Sequence, residues 1–142
     1  MSTRIDFYLL QDVDALARRR FCCRLAHRAV SGGNRVHVRA DDEDAEDLDA
    51  LMWAYPHEQF LPHARMREGE AQPEPVLIFG PEQAASGDVL INLGQDVPNC
   101  IPRFERVAEI VLGNERAAGR DRYRTYRESG YTLFHHEVDD WD

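Results

Sequence analysis

The first forty residues constrain the fold most strongly, because they place one helical pattern between two segments typical of β-strands. Residues 5–10 form an apolar run rich in strand-forming side chains, and residues 35–40 alternate between basic and apolar side chains. Between them, Asp12 or Asp14 can cap a helix that continues to about Val30. This order predicts a βαβ unit, whose strands run parallel and are joined by a right-handed crossover.

The rest of the chain extends this pattern. Apolar runs at residues 76–79, 89–93 and 131–134 predict three more strands. We therefore expect one domain over residues 1–142, of the α/β class, with a mostly parallel open sheet and helices on both faces.

Two further helices are predicted in the second half of the chain. Apolar residues at helical spacing predict a helix over residues 103–112, with an inward face formed by Phe104, Val107, Ala108 and Val111. Residues 115–131 predict another helix, which ends at Gly130 because glycine tolerates the positive φ that often ends a helix.

The residues after the first strand disfavour a nucleotide site. Residues 11–15 contain no glycine, and Asp12 and Asp14 stand where a phosphate would bind. The chain has no lysine and therefore no G-x-x-x-x-G-K-[ST] motif, and it has no G-x-S-x-G motif. The expected fold is thus Rossmann-like without a phosphate-binding loop, in a protein with neither catalytic site nor cofactor. A nucleotide-binding enzyme on the same sheet is the alternative.

An acidic segment at residues 41–49 has two interpretations, a divalent metal site or the first turn of a helix. Its seven acids lack the glycine and the distal glutamate of a calcium loop, which favours the helix. His57 and His63 lack a third ligand at zinc spacing. We therefore expect no bound metal.

Cysteine usage and the absence of a long apolar segment indicate a cytoplasmic protein. The three cysteines, Cys22, Cys23 and Cys100, are odd in number and contain no C-x-x-C spacing, as is typical of a reducing compartment. No apolar run approaches the length of a membrane span, and the first residues do not resemble a secretory signal.

A basic stripe on the helix predicted at residues 115–131 is the strongest functional indication. At 3.6 residues per turn one side of this helix carries Arg116, Arg120, Tyr123, Arg124 and Arg127. Residues 116–127 contain five arginines and one aspartate, a local charge of +4 in a chain of net charge −9. The stripe is either a solvated helix face or a site for an acidic peptide with an apolar anchor. Direct binding of single-stranded DNA is a further alternative, which the acidity of the remaining chain disfavours.

A second unusual segment spans residues 53–63. It combines large apolar side chains, including Trp53 and Phe60, with Pro56 and Pro62, which prevent a regular helix. It is either a loop that covers the edge of the sheet or a surface on which a partner docks.

Four motifs together resemble one known family. Residues 53–63 read W-A-x-P-x-x-x-F-x-P-H, and residues 120–131 read R-x-R-Y-R-x-Y-R-x-x-G-Y. F-Y-L-L at residues 7–10 and D-V-L-I-N-L at residues 88–93 occur in the right order. The chain thus resembles the chi subunit of bacterial DNA polymerase III, although Met52 replaces the leucine that precedes the tryptophan in the family.

This resemblance implies a non-enzymatic adaptor. Members of the family bind the psi subunit, and through it the clamp loader, as well as the acidic, phenylalanine-terminated C-terminal tail of single-stranded DNA-binding protein. Carried over by motif, the tail site comprises Arg116, Arg120, Tyr123, Arg124 and Val111. The psi-binding surface comprises Trp53, Phe60 and Pro62. The resemblance implies no direct contact with nucleic acid.

Overall fold

The computed structural model describes residues 3–55, 61–139 and 141. Within them seven β-strands and three α-helices follow each other along the chain: β1 (Arg4–Leu10), α1 (Ala15–Ser31), β2 (Val36–Arg39), α2 (Asp42–Met52), β3 (His63–Arg65), β4 (Val76–Phe79), β5 (Gly87–Asn92), β6 (Phe104–Val111), α3 (Arg116–Glu128) and β7 (Thr132–Val138). A short 3-10 turn, Ile101–Arg103, leads into β6.

The strands form one sheet in the order β3-β4-β2-β5-β6-β1-β7. Every neighbouring pair of these described strands is parallel. The predicted α/β class is confirmed, and the sheet is wholly parallel rather than mostly so. The two strands of the predicted βαβ unit, β1 and β2, are parallel but not adjacent, because β5 and β6 lie between them.

Helices lie on both faces of the sheet, as predicted. One core cluster joins α1 and α2 to the sheet through residues such as Cys22, Leu48 and Val38. A second cluster joins α3 to the opposite face through Phe7 and Tyr126. Successive residues of a strand point to opposite faces, so β1, β4, β5 and β6 contribute side chains to both clusters.

The predicted helix over residues 103–112 is wrong, because these residues form the central strand β6. Five consecutive residues from Val107 to Val111 are buried, since the strand is covered on both faces. Such a strand loses the two-residue alternation, and the spacing of its apolar side chains then resembles that of a helix. The polar side chain of Glu109 also fits the pattern of a helix with one exposed face, although in the strand it is fully buried.

The acidic segment forms the beginning of a helix, as the second interpretation held. The Asp41 side chain accepts a hydrogen bond from the Asp44 backbone N–H at 2.9 Å and so caps α2. Asp44 also pairs with Arg19 of α1 at 3.1 Å. No group of three His, Cys, Asp or Glu side chains among the described residues is arranged to hold a metal ion. No helix in the described part of the chain is long and apolar enough to cross a membrane.

Candidate functional site

A cleft of about 350 Å³ lies where α3 crosses the end of the sheet formed by β1, β6 and β7. Its floor is apolar and comes from the strands, whereas the helix supplies a basic wall. The described residues that line it are Phe7, Leu9, Val111, Arg116, Gly119, Arg120, Tyr123 and His135. None of these residues carries a carboxylate, so the cleft combines apolar surface with uncompensated positive charge.

The floor of the cleft is part of the hydrophobic core. Phe7 is 2% exposed and Val111 1% exposed. The Tyr123 ring packs edge-on against Phe7, with ring centroids 5.3 Å apart and an interplanar angle of 60°. Tyr123 is therefore held by an aromatic contact while part of its ring remains accessible.

Gly119 allows α3 to approach the sheet closely enough to form the cleft. A Cβ atom added there would lie 2.9 Å from Cγ1 and 3.0 Å from Cγ2 of Val111. Such distances are too short for carbon atoms, so any larger residue would displace either the helix or Val111. The glycine thus fixes the height of the basic wall above the apolar floor.

The helix ends where the sequence predicted. The backbone N–H of Gly130, which has φ of +87°, donates to the Arg127 carbonyl at 3.0 Å. The Tyr131 N–H then donates to the Tyr126 carbonyl at 3.3 Å and directs the chain into β7. This turn leads into β7, which lies beside β1 and contributes His135 to the lining of the cleft.

Four of the five residues predicted for the tail site meet in this cleft: Arg116, Arg120, Tyr123 and Val111. Arg124 does not line the cleft. Its Nη1 lies 3.7 Å from Oδ1 of Asp121, and both side chains are exposed. Arg127 is also exposed and lies outside the lining.

Sequence reasoning missed four lining residues. Phe7 and Leu9 were assigned to a buried strand, and only the position of α3 brings them into the cleft. The role of Gly119 depends on its proximity to Val111, which local sequence does not reveal. Strand alternation places the side chains of His135 and His136 on opposite faces of β7, but only the position of β7 beside β1 brings His135 to the cleft.

The inner face of α3 is held by a buried polar network around Glu109 of β6. The Glu109 carboxylate accepts hydrogen bonds from Arg122 Nε at 3.1 Å, Tyr126 OH at 2.5 Å and Asn92 Nδ2 at 2.9 Å. Burial raises the pKa of Glu109, while the opposing effects of Arg122, Tyr126 and Asn92 are smaller. The network fixes α3 on the sheet from the side that faces away from the cleft.

A second ion pair, between Arg39 and Asp96, lies at the end of the sheet formed by β2 and β5. Arg39 donates from Nη1 and Nη2 to the two carboxylate oxygens of Asp96, at 3.1 and 3.2 Å. Arg39 Nη1 also donates to Asn92 Oδ1 at 3.2 Å. Asn92 therefore links this pair to the network around Glu109.

The start of α1, where a Rossmann-like fold would bind a phosphate, is acidic. The Asp14 carboxylate accepts a hydrogen bond from the Leu16 N–H at 2.9 Å and so caps the helix. Asp12 accepts a hydrogen bond from Trp141 Nε1 at 3.1 Å. The helix dipole is thus matched by side chains of the protein itself.

The cysteines are core residues. Cys22 and Cys23 are fully buried in α1, and Cys100 is 4% exposed. Burial raises the pKa of Cys23 to about 12, and that of Cys22 well above its ordinary value. A thiol with so high a pKa carries little thiolate at neutral pH and is a poor nucleophile.

The other predicted surface lies at the opposite edge of the sheet, near β3. Trp53 is 61% exposed, and its ring lies 4.7 Å from that of His63, centroid to centroid. Pro62 is also exposed, whereas Leu61 beside it is buried. Phe60, the third predicted residue, lies outside the described residues.

Comparison with known proteins agrees with the motifs. The model of the family described as DNA polymerase III chi subunit, HolC, matches residues 1–134. The chain belongs to this family. DNA polymerase III subunit chi of Pseudomonas aeruginosa is 38% identical over 139 residues, which cover 96% of this chain and 97% of the relative.

Two further chi subunits match over nearly their whole length. The protein of Escherichia coli is 34% identical over 136 residues, covering 89% of this chain and 92% of the relative. That of Haemophilus influenzae is 27% identical over 138 residues, covering 94% and 96%. The resemblance inferred from the motifs is thereby confirmed, and the cleft is a feature of a chi-family member.

Proposed function

We propose that this chi-family protein is a non-enzymatic adaptor of the bacterial replicase in the cytoplasm. It binds the acidic C-terminal tail of single-stranded DNA-binding protein in the α3 cleft. Through the psi subunit it is linked to the clamp loader of DNA polymerase III. The observation that carries the proposal is the cleft itself, where Arg116 and Arg120 stand over an apolar floor in a chain of this family.

The chemistry of the cleft suits a peptide that ends in an aromatic residue. The guanidiniums of Arg116 and Arg120 can donate charge-assisted hydrogen bonds to the terminal carboxylate and to acidic side chains. The terminal ring would rest on Phe7, Leu9 and Val111, with Tyr123 beside it in an edge-to-face contact. A peptide that lacked either the charge or the ring would leave half of the cleft unmatched.

Two features support an adaptor rather than an enzyme. The carboxylates of Asp12 and Asp14 at the start of α1 repel the phosphate of a nucleotide. The buried ion pair Arg122–Glu109 and the pair of buried Arg39 with exposed Asp96 already satisfy polar groups at the carboxyl ends of the strands, where ligands of open α/β sheets usually bind. A thermal-shift measurement with ATP and NAD tests the enzyme alternative, which a clear rise in melting temperature would favour.

Calorimetric titration with an acidic peptide ending in phenylalanine tests the tail site. We expect Arg120→Ala to weaken binding by about 1–3 kcal/mol, because a charge-assisted contact is lost. Arg127→Ala is the matched control, since Arg127 lies on the same helix outside the cleft. Equal affinity of wild type and Arg120→Ala would contradict the site. A single-stranded oligonucleotide serves as the second ligand, and tight, salt-sensitive binding of it would favour the DNA-binding alternative.

Psi is proposed to dock on the surface around Trp53 and Pro62. Exposed tryptophan is enriched among the residues that dominate binding energies, and the Trp53 side chain is 61% exposed. Co-purification of psi with Trp53→Ala should fall relative to wild type. Phe134→Ala is the control, because Phe134 is 40% exposed on β7 at the opposite edge of the sheet. Undiminished recovery of psi with Trp53→Ala would exclude this surface.

A further inference from the structure

We propose that His135 is a specificity-determining residue of the α3 cleft, which in its protonated form contacts an acidic side chain of the bound peptide. This inference rests on the proposed function, because it assigns a role within the same site. It makes the affinity for an acidic tail depend on pH through one imidazole. His135 follows directly after residues 1–134, which the family model matches.

The position of His135 follows from the register of β7. His135 pairs with Phe7 of β1, and both side chains line the cleft. Since β7 is an edge strand, the His135 side chain is exposed to a ligand that enters from the side. The imidazole therefore lies at the β7 edge of the cleft floor, whereas Arg116 and Arg120 come from the helix, so a peptide in the cleft would have basic groups from both the sheet and the helix.

The lining residues around His135 are basic or uncharged, so a negative charge near it would have to come from a ligand. From α3 the cleft receives Arg116, Arg120 and the uncharged phenol of Tyr123. From β1 it receives Phe7 and Leu9, which are apolar.

On β7 itself, Glu137 is the nearest charged residue on the same face as His135. It is exposed, pairs in register with Leu9, and does not line the cleft. A carboxylate of the peptide is thus the counter-ion that the lining itself does not provide. Histidine changes its charge between about pH 5 and 8, so binding and protonation of His135 should be coupled.

The neighbouring histidine provides a matched control. His136 points to the other face of the sheet, where its Nε2 lies 2.8 Å from Oδ1 of Asp6. Its ring stacks on Tyr8, with centroids 4.9 Å apart. His136 therefore already has a carboxylate partner within the protein, whereas no described residue of the cleft lining offers His135 a negative partner.

The experiment is a titration of an acidic, phenylalanine-terminated peptide at about pH 6 and about pH 8. We expect wild type to bind about two- to fivefold more tightly at the lower pH, as is typical of one additional exposed ion pair. His135→Gln should abolish this difference, and His136→Gln should retain it. His135→Arg should bind with the higher affinity at both pH values. A peptide whose acids are replaced by their amides should lose the pH dependence.

The outcomes separate this inference from the proposed function. Binding that depends on Arg120 but shows the same pH dependence in His135→Gln as in wild type would overturn the role of His135 alone. Absence of binding at both pH values in wild type would overturn both. A pH dependence that disappears in His136→Gln instead would assign the effect to the Asp6 side of the sheet and would also overturn the proposal.

Discussion

The two sides of α3 use the same side chain for different purposes. On the inner side Arg122 is 3% exposed and donates to Glu109, which is fully buried. On the cleft side Arg116 and Arg120 stand over apolar residues, and no carboxylate is present among the described lining residues. One arginine therefore has its counter-ion within the protein, whereas the other two lack one within the cleft.

This difference indicates how one helix can be both anchored and available for binding. The burial of Arg122 is compensated by its ion pair with Glu109 and by a hydrogen bond from its Nη1 to the Gln95 carbonyl at 3.2 Å. Arg116 and Arg120 remain at the surface and keep most of their hydration, so they can exchange water for a ligand. We expect substitutions on the inner side to change stability and substitutions on the cleft side to change binding.

The largest effect is expected for Arg122→Ala. Removing one partner of a buried ion pair leaves Glu109 uncompensated, and the free energy of unfolding should fall by about 3–5 kcal/mol. Urea denaturation of this variant beside Arg120→Ala measures the contrast. Arg120→Ala should change stability by less than about 0.5 kcal/mol, as is usual for surface positions. Similar losses in the two variants would refute the distinction between the two sides.

The loss of stability in Arg122→Ala should also depend on pH. Burial already raises the pKa of Glu109, and without Arg122 the opposing effects of its charge and of its hydrogen bond are both lost, so the pKa rises further. A carboxyl group whose pKa is higher in the folded than in the unfolded state destabilises the fold when ionised and ceases to do so once protonated. Stability relative to Arg122→Ala/Glu109→Gln should therefore recover as the pH falls from neutral towards 4.5, the ordinary pKa of a glutamate carboxyl.

The control for this pH dependence is the double variant itself, because glutamine does not titrate. Its urea-denaturation profile carries the contributions of all other ionisable groups, so the difference between the two variants isolates Glu109. A difference that stays constant with pH would mean that Glu109 is not the charged group left behind.

An intermediate effect is expected for Gly119→Ala, which alters the height of the cleft. The added methyl group would lie 2.9 Å from Val111 Cγ1, and overpacking of this kind typically costs about 1–3 kcal/mol. Alanine returns up to about 1 kcal/mol through its higher helix propensity, so the net loss of stability should be smaller. Peptide affinity should fall, because the helix is displaced from the floor. Adding Val111→Ala to this variant should restore part of the peptide affinity. Unchanged affinity in Gly119→Ala would refute the proposed role of the close contact between Gly119 and Val111.

The smallest effects are expected at the exposed end of the stripe. Arg124 is paired with Asp121 at 3.7 Å outside the cleft, so Arg124→Ala should weaken peptide binding by less than about 1 kcal/mol. Asp121→Asn should strengthen binding slightly at low salt, because it releases Arg124 toward the ligand. Titrations at two salt concentrations measure both changes. A loss of peptide affinity in Arg124→Ala as large as that in Arg120→Ala would place Arg124 in the binding site.

Most of the fold could be predicted from local patterns. The helix at α3 and its end at Gly130 followed from arginine spacing and one glycine, and the acidic beginning of α2 followed from the helix dipole. The error at β6 has a physical cause, since a strand buried on both faces shows no alternation. Its β-branched residues Val107, Ile110 and Val111 favoured a strand, but propensity is a weak guide beside spacing.

The sequence by itself determined the α/β class, the helix that carries the basic stripe and the family to which the chain belongs, because these depend on periodicity and on motifs. The tertiary structure decided which arginines are available. Arg122 and Arg120 differ by two positions on one helix, and the sheet buries the first against Glu109 while it places the second over Phe7 and Leu9. It also brought His135 to the cleft, because the neighbours of an edge strand depend on the order of the strands in the sheet.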